Sequence, residues 1–306
     1  MTDVFFTSTK RALNNITSTF DIVWPISVGL WNLRCMVNGI RSEYPNVTEC
    51  ELTAKFSHGS GIHGVNYKRA FTQTTWEQQQ TNLAWILLNN TIPIFEGWLE
   101  ELKQDYFADM KIKDLQFPHS AQVEVTRLIS NSSALLKNAF YSTYCGKRDR
   151  CYSNINALLS CYRVFKEARN CYMHKGSVAD QKLIDAYNSY TQLATTSSLC
   201  VSEIPEFPVP TLDSQINISL RGVVGFSYIV IKLLVSLDTE LLQSINAEKE
   251  FIERYKLKHT IMRTLKSNVD ESRRQVKQYV KQCGFPSPKN VDDIITFLVD
   301  NHLVNR

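Results

Sequence analysis

Residues 167–176 read Glu-Ala-Arg-Asn-Cys-Tyr-Met-His-Lys-Gly, which gathers an arginine, an asparagine and a histidine within two helical turns. Those side-chain types can cut RNA without a metal. The reaction needs a base for the 2′-hydroxyl proton, an acid for the departing 5′-oxygen and a cation on the phosphorane oxygens. A histidine exchanges protons near neutral pH, and an arginine fork holds phosphate oxygens in pairs. An asparagine can orient either group by hydrogen bonding. Arg169, Asn170 and His174 are therefore the candidate catalytic residues.

The element that must position them is a helix. Ile155, Leu158, Leu159, Tyr162, Phe165, Tyr172 and Met173 recur at three- and four-residue steps, so residues 152–174 should bury one helical face. Arg169 falls in that stripe, within about 20° of Leu158 and Tyr162 on a helical wheel. A guanidinium there cannot shed its charge and needs a partner, an interface or a ligand. Five helical steps turn His174 by about 140° from Arg169, so one straight helix does not aim both at one phosphate. A two-fold axis would unite two copies of the pair and shield the arginines' aliphatic stems. A purely structural alternative stays open. Gly176 is a natural helix stop, a histidine is favoured near the negative end of the dipole, and Arg169 could bridge to a neighbouring helix.

The run Arg169-Asn170-x-x-x-His174 resembles the HEPN superfamily, in which an arginine, usually followed by a polar residue, stands four to six residues before a histidine. The resemblance covers residues 167–176 and, more loosely, the helical stretch 71–200. It implies an all-α, HEPN-like helical bundle and a metal-independent endoribonuclease of the defence or toxin type, with no cofactor. It also implies a homodimer, RNA as substrate, 2′,3′-cyclic phosphate and 5′-hydroxyl ends, and an inhibitor or antitoxin protein as a further partner. Arg163, Lys166 and Lys175, the cations flanking the motif, are assigned to RNA contact. Arg254 and His259 repeat the spacing in Arg-Tyr-Lys-Leu-Lys-His, without the asparagine or the glycine stop, on what reads as a basic, solvated helix.

Composition sets the frame. The chain has 306 residues, 43% hydrophobic and 21% charged, with a net charge of +4, which suits a globular protein with a sizeable core and does not announce nucleic acid. Basic residues concentrate over 254–281, so any attraction to RNA would be local. No basic region leads into a long apolar segment at the N-terminus, and the expectation is a cytoplasmic protein with reduced cysteines and no membrane contact. Cys145, Cys151, Cys161 and Cys171 are spaced too widely for a Cys-x-x-Cys zinc site. The sequons at Asn15, Asn46, Asn89, Asn131 and Asn217 matter only in a secreted protein.

Helical periodicity prevails nearly throughout and strand alternation is almost absent, so the fold class is all-α. Helices are expected near 4–19, 26–41, 71–92, 94–108, 120–145, 152–174, 179–198, 215–249, 250–282 and 290–304, with Pro93 starting a new helix or kinking a long one. Residues 44–66 read as a glycine-rich loop whose His58 and His63 either reach a site or merely decorate the surface. The stiff connector Ile204–Pro210 divides residues 1–203, a HEPN-like domain with an N-terminal extension, from a C-terminal helical region at 211–306. The apolar helix after it would cover the first unit, join a dimer interface or nucleate a small domain. Two rivals to the nuclease reading stand beside it: a non-catalytic helical interaction protein, and a regulator that binds nucleic acid through the basic C-terminal helices.

Overall fold

The computed structural model describes residues 3–147 and 149–306. It is 67% helical with two very short strands, so the fold is all-α. The helix α1 spans Thr7–Glu43 and continues through Pro25. The chain then forms α2 at Glu49–Phe56, inside the stretch expected to be loop, started by a reciprocal capping box between Thr48 and Glu51. His58 and His63 lie beyond it on an exposed segment. After a π-turn at Arg69–Gln73, α3 spans Trp76–Asp105 behind a second capping box, Thr75 with Gln78. Pro93 neither ends nor restarts it. A proline inside a helix costs about 3 kcal/mol, and here Ile92 and Phe95 are fully buried on either side, each contributing about 1.5–3 kcal/mol, which keeps the helix continuous.

The expected helix 120–145 is broken. It becomes α4 at Ser120–Leu128, then α5 at Ala134–Leu136, a π-turn at Lys137–Tyr141 and α6 at Ser142–Cys145. Next come α7 at Ile155–Lys175, α8 at Gln181–Leu193 and α9 at Leu220–Leu241. The expected helix 250–282 is likewise two, α10 at Glu248–Lys258 and α11 at Val269–Gln282, followed by α12 at Val291–Asp300. Strands β1, Arg263–Thr264, and β2, Val304–Asn305, pair in parallel beside them.

Four long helices make the bundle. Trp98 Nε1 donates to Thr9 Oγ1 at 2.8 Å, while Arg34 Nη1 donates to Thr74 O at 2.8 Å, so α1 and α3 lie antiparallel. Ring pairs Phe95–Tyr162 and Trp85–Tyr172 set α7 antiparallel to α3. The Phe165–Phe226 stack at 4.5 Å and the Cys151 N–H to Ser236 Oγ at 2.9 Å set α9 antiparallel to α7. One core cluster joins residues from both sides of the connector, so α9 covers the first unit and no core boundary falls at 204–210. By length and composition α9 could cross a membrane, but two-thirds of it is buried in this bundle. The outer half of α1 is different. It closes a separate small cluster around Val37, Leu52, Tyr67 and Phe71, and it leaves Ile22, Trp24, Ile26, Val28 and Trp31 exposed.

The basic C-terminal stretch is less solvated than its composition suggests. Arg254 donates to the carbonyls of Phe5 and Cys283 and lies 3.8 Å over the Phe285 ring. His259 is buried between Tyr255 and Tyr279. The second arginine–histidine pair is thus structural, because both side chains close the joint between α10 and α11.

Candidate active site

Every residue singled out in the motif sits on the last three turns of α7 or just after them. A 3-10 turn at Tyr152–Asn154 leads into the helix, and Gly176 ends it in the left-handed conformation at φ 60°, where a side chain would be strained. The segment 213–216 braces the turn beyond Gly176: Ile216 N–H donates to Ser177 O at 2.9 Å and Ala179 N–H to Ser214 O at 2.9 Å. On the other side Tyr172 stacks on Trp85 of α3, ring centroids 4.3 Å apart. The end of the helix that carries His174 is therefore held from two directions.

Arg169 is half-buried. Its Nε is shut away from solvent with no hydrogen-bond partner among the described residues, and Nη1 makes only a long contact of 3.4 Å to Asn170 Oδ1. The Tyr162 hydroxyl, seven residues earlier on the same face, is also buried and without a partner among the described residues. Burial drives the Tyr162 phenol well above its ordinary range, the Glu96 carboxylate adds to this, and the charges of Arg163 and Arg169 oppose it. His174 is exposed. The structure brings Arg169 and Asn170 into contact and leaves His174 about 140° around the helix from Arg169.

The three cations assigned to RNA contact all hold carboxylates of this chain. Lys166 Nζ pairs with Glu96 and donates to Gln116 Oε1 at 2.6 Å, in a half-buried setting. Arg163 pairs with Glu167 one turn on. Lys175 Nζ meets Asp180 Oδ2 at 2.7 Å, and this hydrogen bond holds the exposed ammonium above its usual range. Asp180 is the N-cap of α8. Burial of Asp180 opposes its ionisation, but the Lys175 ammonium and the Leu183 N–H outweigh it and keep the carboxyl low.

Glu167 ties the motif together, and sequence reasoning gave it no role. One carboxylate oxygen accepts from Arg163, and the other accepts from Asn170 Nδ2 at 3.1 Å. The signal was present in its spacing, four residues after Arg163 and three before Asn170. Glu96 and Gln116 come from remote parts of the chain and left no such signal. Among the described residues no group of three or more His, Cys, Asp or Glu side chains is placed to hold a metal. All eight cysteines are free, and burial pushes the Cys151 thiol up to about 12.

Fold and site together define an all-helical protein with an arginine–asparagine–histidine constellation at the end of a bundle helix. Comparison with protein-family models, with curated proteins and with solved structures found no match.

Proposed function

We propose that this chain is a HEPN-type endoribonuclease that cuts single-stranded RNA or tRNA loops without a metal, as a cytoplasmic defence or toxin effector. The observation that carries the reading is Arg169. A half-buried guanidinium whose buried Nε has no partner among the described residues is a costly arrangement for packing, and its Nη groups, paired with no carboxylate among the described residues, are left for an oxyanion. Exposed His174 at the same helix end is free to reach a ribose hydroxyl. In the reaction the 2′-oxygen loses its proton to a histidine and attacks phosphorus. The arginine holds the two non-bridging oxygens, and the 5′-oxygen leaves with a proton from a second acid. The rotation between Arg169 and His174 favours a homodimer in which two motifs supply these groups to one phosphate. An antitoxin-like inhibitor would bind over the same helix end.

The test is RNA turnover by purified protein in EDTA, with products carrying 2′,3′-cyclic phosphate. His174→Ala should lower the rate by about 10²–10⁴-fold and leave the melting temperature unchanged, since an exposed helix-end imidazole packs against little. Full activity in that variant removes His174 from the mechanism. A second reading, a non-catalytic interaction protein, is favoured by the exposed apolar side chains of α1, with Trp24 at 46% and Trp31 at 47% exposure. Absence of turnover in EDTA and in magnesium alike would select it.

A further inference from the structure

The polar face of α7 continues well past the motif. Ser160, Arg163, Glu167, Asn170 and His174 follow one another at three- and four-residue steps, so they share one stripe about 80° wide. At its N-terminal end the stripe opens into a cleft of about 280 Å³ between α7, α8 and the segment Phe117–Pro118. Arg163 lies over the ring in this cleft, its guanidinium carbon 4.1 Å from the centre of Phe117. Phe117 is 42% exposed, so part of the ring stays open to a stacking partner beside Arg163. Lys182 and Asp185 of α8 stand at the rim with a donor and an acceptor.

The segment that presents the ring is strained and fixed. His119 has φ 62° and ψ −45°, and Ser120 N–H donates to Pro118 O at 2.7 Å across it, a γ-turn of the rare positive-φ kind. Asn156 of α7 holds this turn: its Oδ1 accepts from the His119 N–H at 2.6 Å, and its Nδ2 lies 3.3 Å from His119 Nδ1. Strained backbone persists where its surroundings over-determine it, and it collects at ligand clamps.

We infer that this cleft is a nucleobase subsite, in which one base of a single-stranded RNA stacks on the Arg163–Phe117 platform. A planar guanidinium on an aromatic ring offers any base a π-surface, and rim groups such as Asp185 can accept from an exocyclic amine. Glu167 links the subsite to the motif, because its carboxylate holds Arg163 on one side and Asn170 on the other. Arg163 and His174 are about 16 Å apart along the helix axis, so a strand anchored in the cleft passes Asn170 and brings a phosphate to His174 within a few nucleotides. The subsite rests on the nuclease reading for its purpose and not for its test.

The probe is a fluorescent hexamer of 2′-O-methyl RNA, which has no free 2′-hydroxyl and cannot be cut. Its affinity for the full chain is measured by anisotropy for the unaltered protein, Phe117→Ala and Phe117→Trp. Phe117→Ala should bind about 10-fold more weakly, and Phe117→Trp should bind as well as the parent or better. Hexamers abasic at one position, scanned in turn, should reproduce the loss with the parent protein and add nothing with Phe117→Ala. Equal affinity of parent and Phe117→Ala, or no binding by either, overturns the subsite. The two proposals fail separately. RNA cleavage in EDTA with an indifferent Phe117 sinks only the subsite, and Phe117-dependent binding without cleavage sinks only the nuclease.

Discussion

At the residue scale the decisive side chain is Arg169. A structural arginine would find carboxylates for its donors, as Arg127 and Arg254 do with Glu124 and Glu250. Arg169 instead keeps a buried donor unmet among the described residues, at a cost of about 1–3 kcal/mol. Arg169→Lys retains the charge, deletes the orphaned Nε and loses the two-pronged grip on phosphate. The expected outcome is RNA cleavage reduced by about 100-fold or more with a melting temperature equal to or above the parent's. Retained cleavage with a clear fall in melting temperature would instead identify a bridging arginine. The placement of Arg169 was legible because a charged residue on an apolar stripe breaks a strong periodic pattern. Glu167 was harder to read, since nothing in one sequence tells which of a helix's polar neighbours close on one another. Phe117 was invisible, because only the fold brings residues 117 and 163 together.

At the element scale the sequence was strongest on helix type and weakest on helix ends. Apolar stripes identified α3, α7 and α9, but the gap expected between 19 and 26 is helical, and Pro93, expected to start a new helix or kink a long one, lies within the single helix α3. Around Pro93 the burial of Ile92 and Phe95 outweighs one lost hydrogen bond. Conversely, 250–282 read as one helix and is two, because Arg254 and His259 are held by distant carbonyls at the joint. The start of α9 shows how closely elements approach. A Cβ on Gly222 would stand 2.0 Å from the Glu206 carbonyl oxygen of the connector, whereas one on Gly97 in α3 meets nothing within 4 Å. Gly222→Ala should therefore destabilise by about 1–3 kcal/mol through overpacking. Gly97→Ala should stabilise by about 0.5–1 kcal/mol, since alanine is the better residue for a helix interior. Chemical denaturation of both variants checks the opposite signs.

At the scale of the whole molecule the first described residues are locked to the C-terminal third. The Asp238 carboxylate, fully buried, accepts from the Phe5 and Phe6 N–H groups at 2.7 and 3.0 Å. Glu250 takes the Thr7 N–H and hydroxyl, and Arg254 takes the Phe5 carbonyl. Burial raises Asp238 from 3.8 to about 6 despite the opposing help of Thr9, Phe5, Phe6 and Arg150. An acid whose folded value is raised binds its proton more tightly when folded, so its contribution is most favourable below about pH 4 and is lost as pH climbs past about 6. That loss is about 3 kcal/mol. Relative to Asp238→Asn, the parent protein should lose stability by that order between about pH 4 and about pH 7 in urea titrations. A difference between the two that does not change with pH would show the charge to be fully compensated in the fold. The same lock has a meaning for biosynthesis. Phe6 and Asp238 are 232 positions apart, and α9, which fills the bundle, is also made late. At about 5–20 residues per second, a ribosome takes roughly 10–50 s to deliver the acceptor after the donor has emerged. Throughout that interval the nascent bundle lacks its central helix and shows its apolar lining to the cell, a window in which a chaperone can engage the chain before it closes.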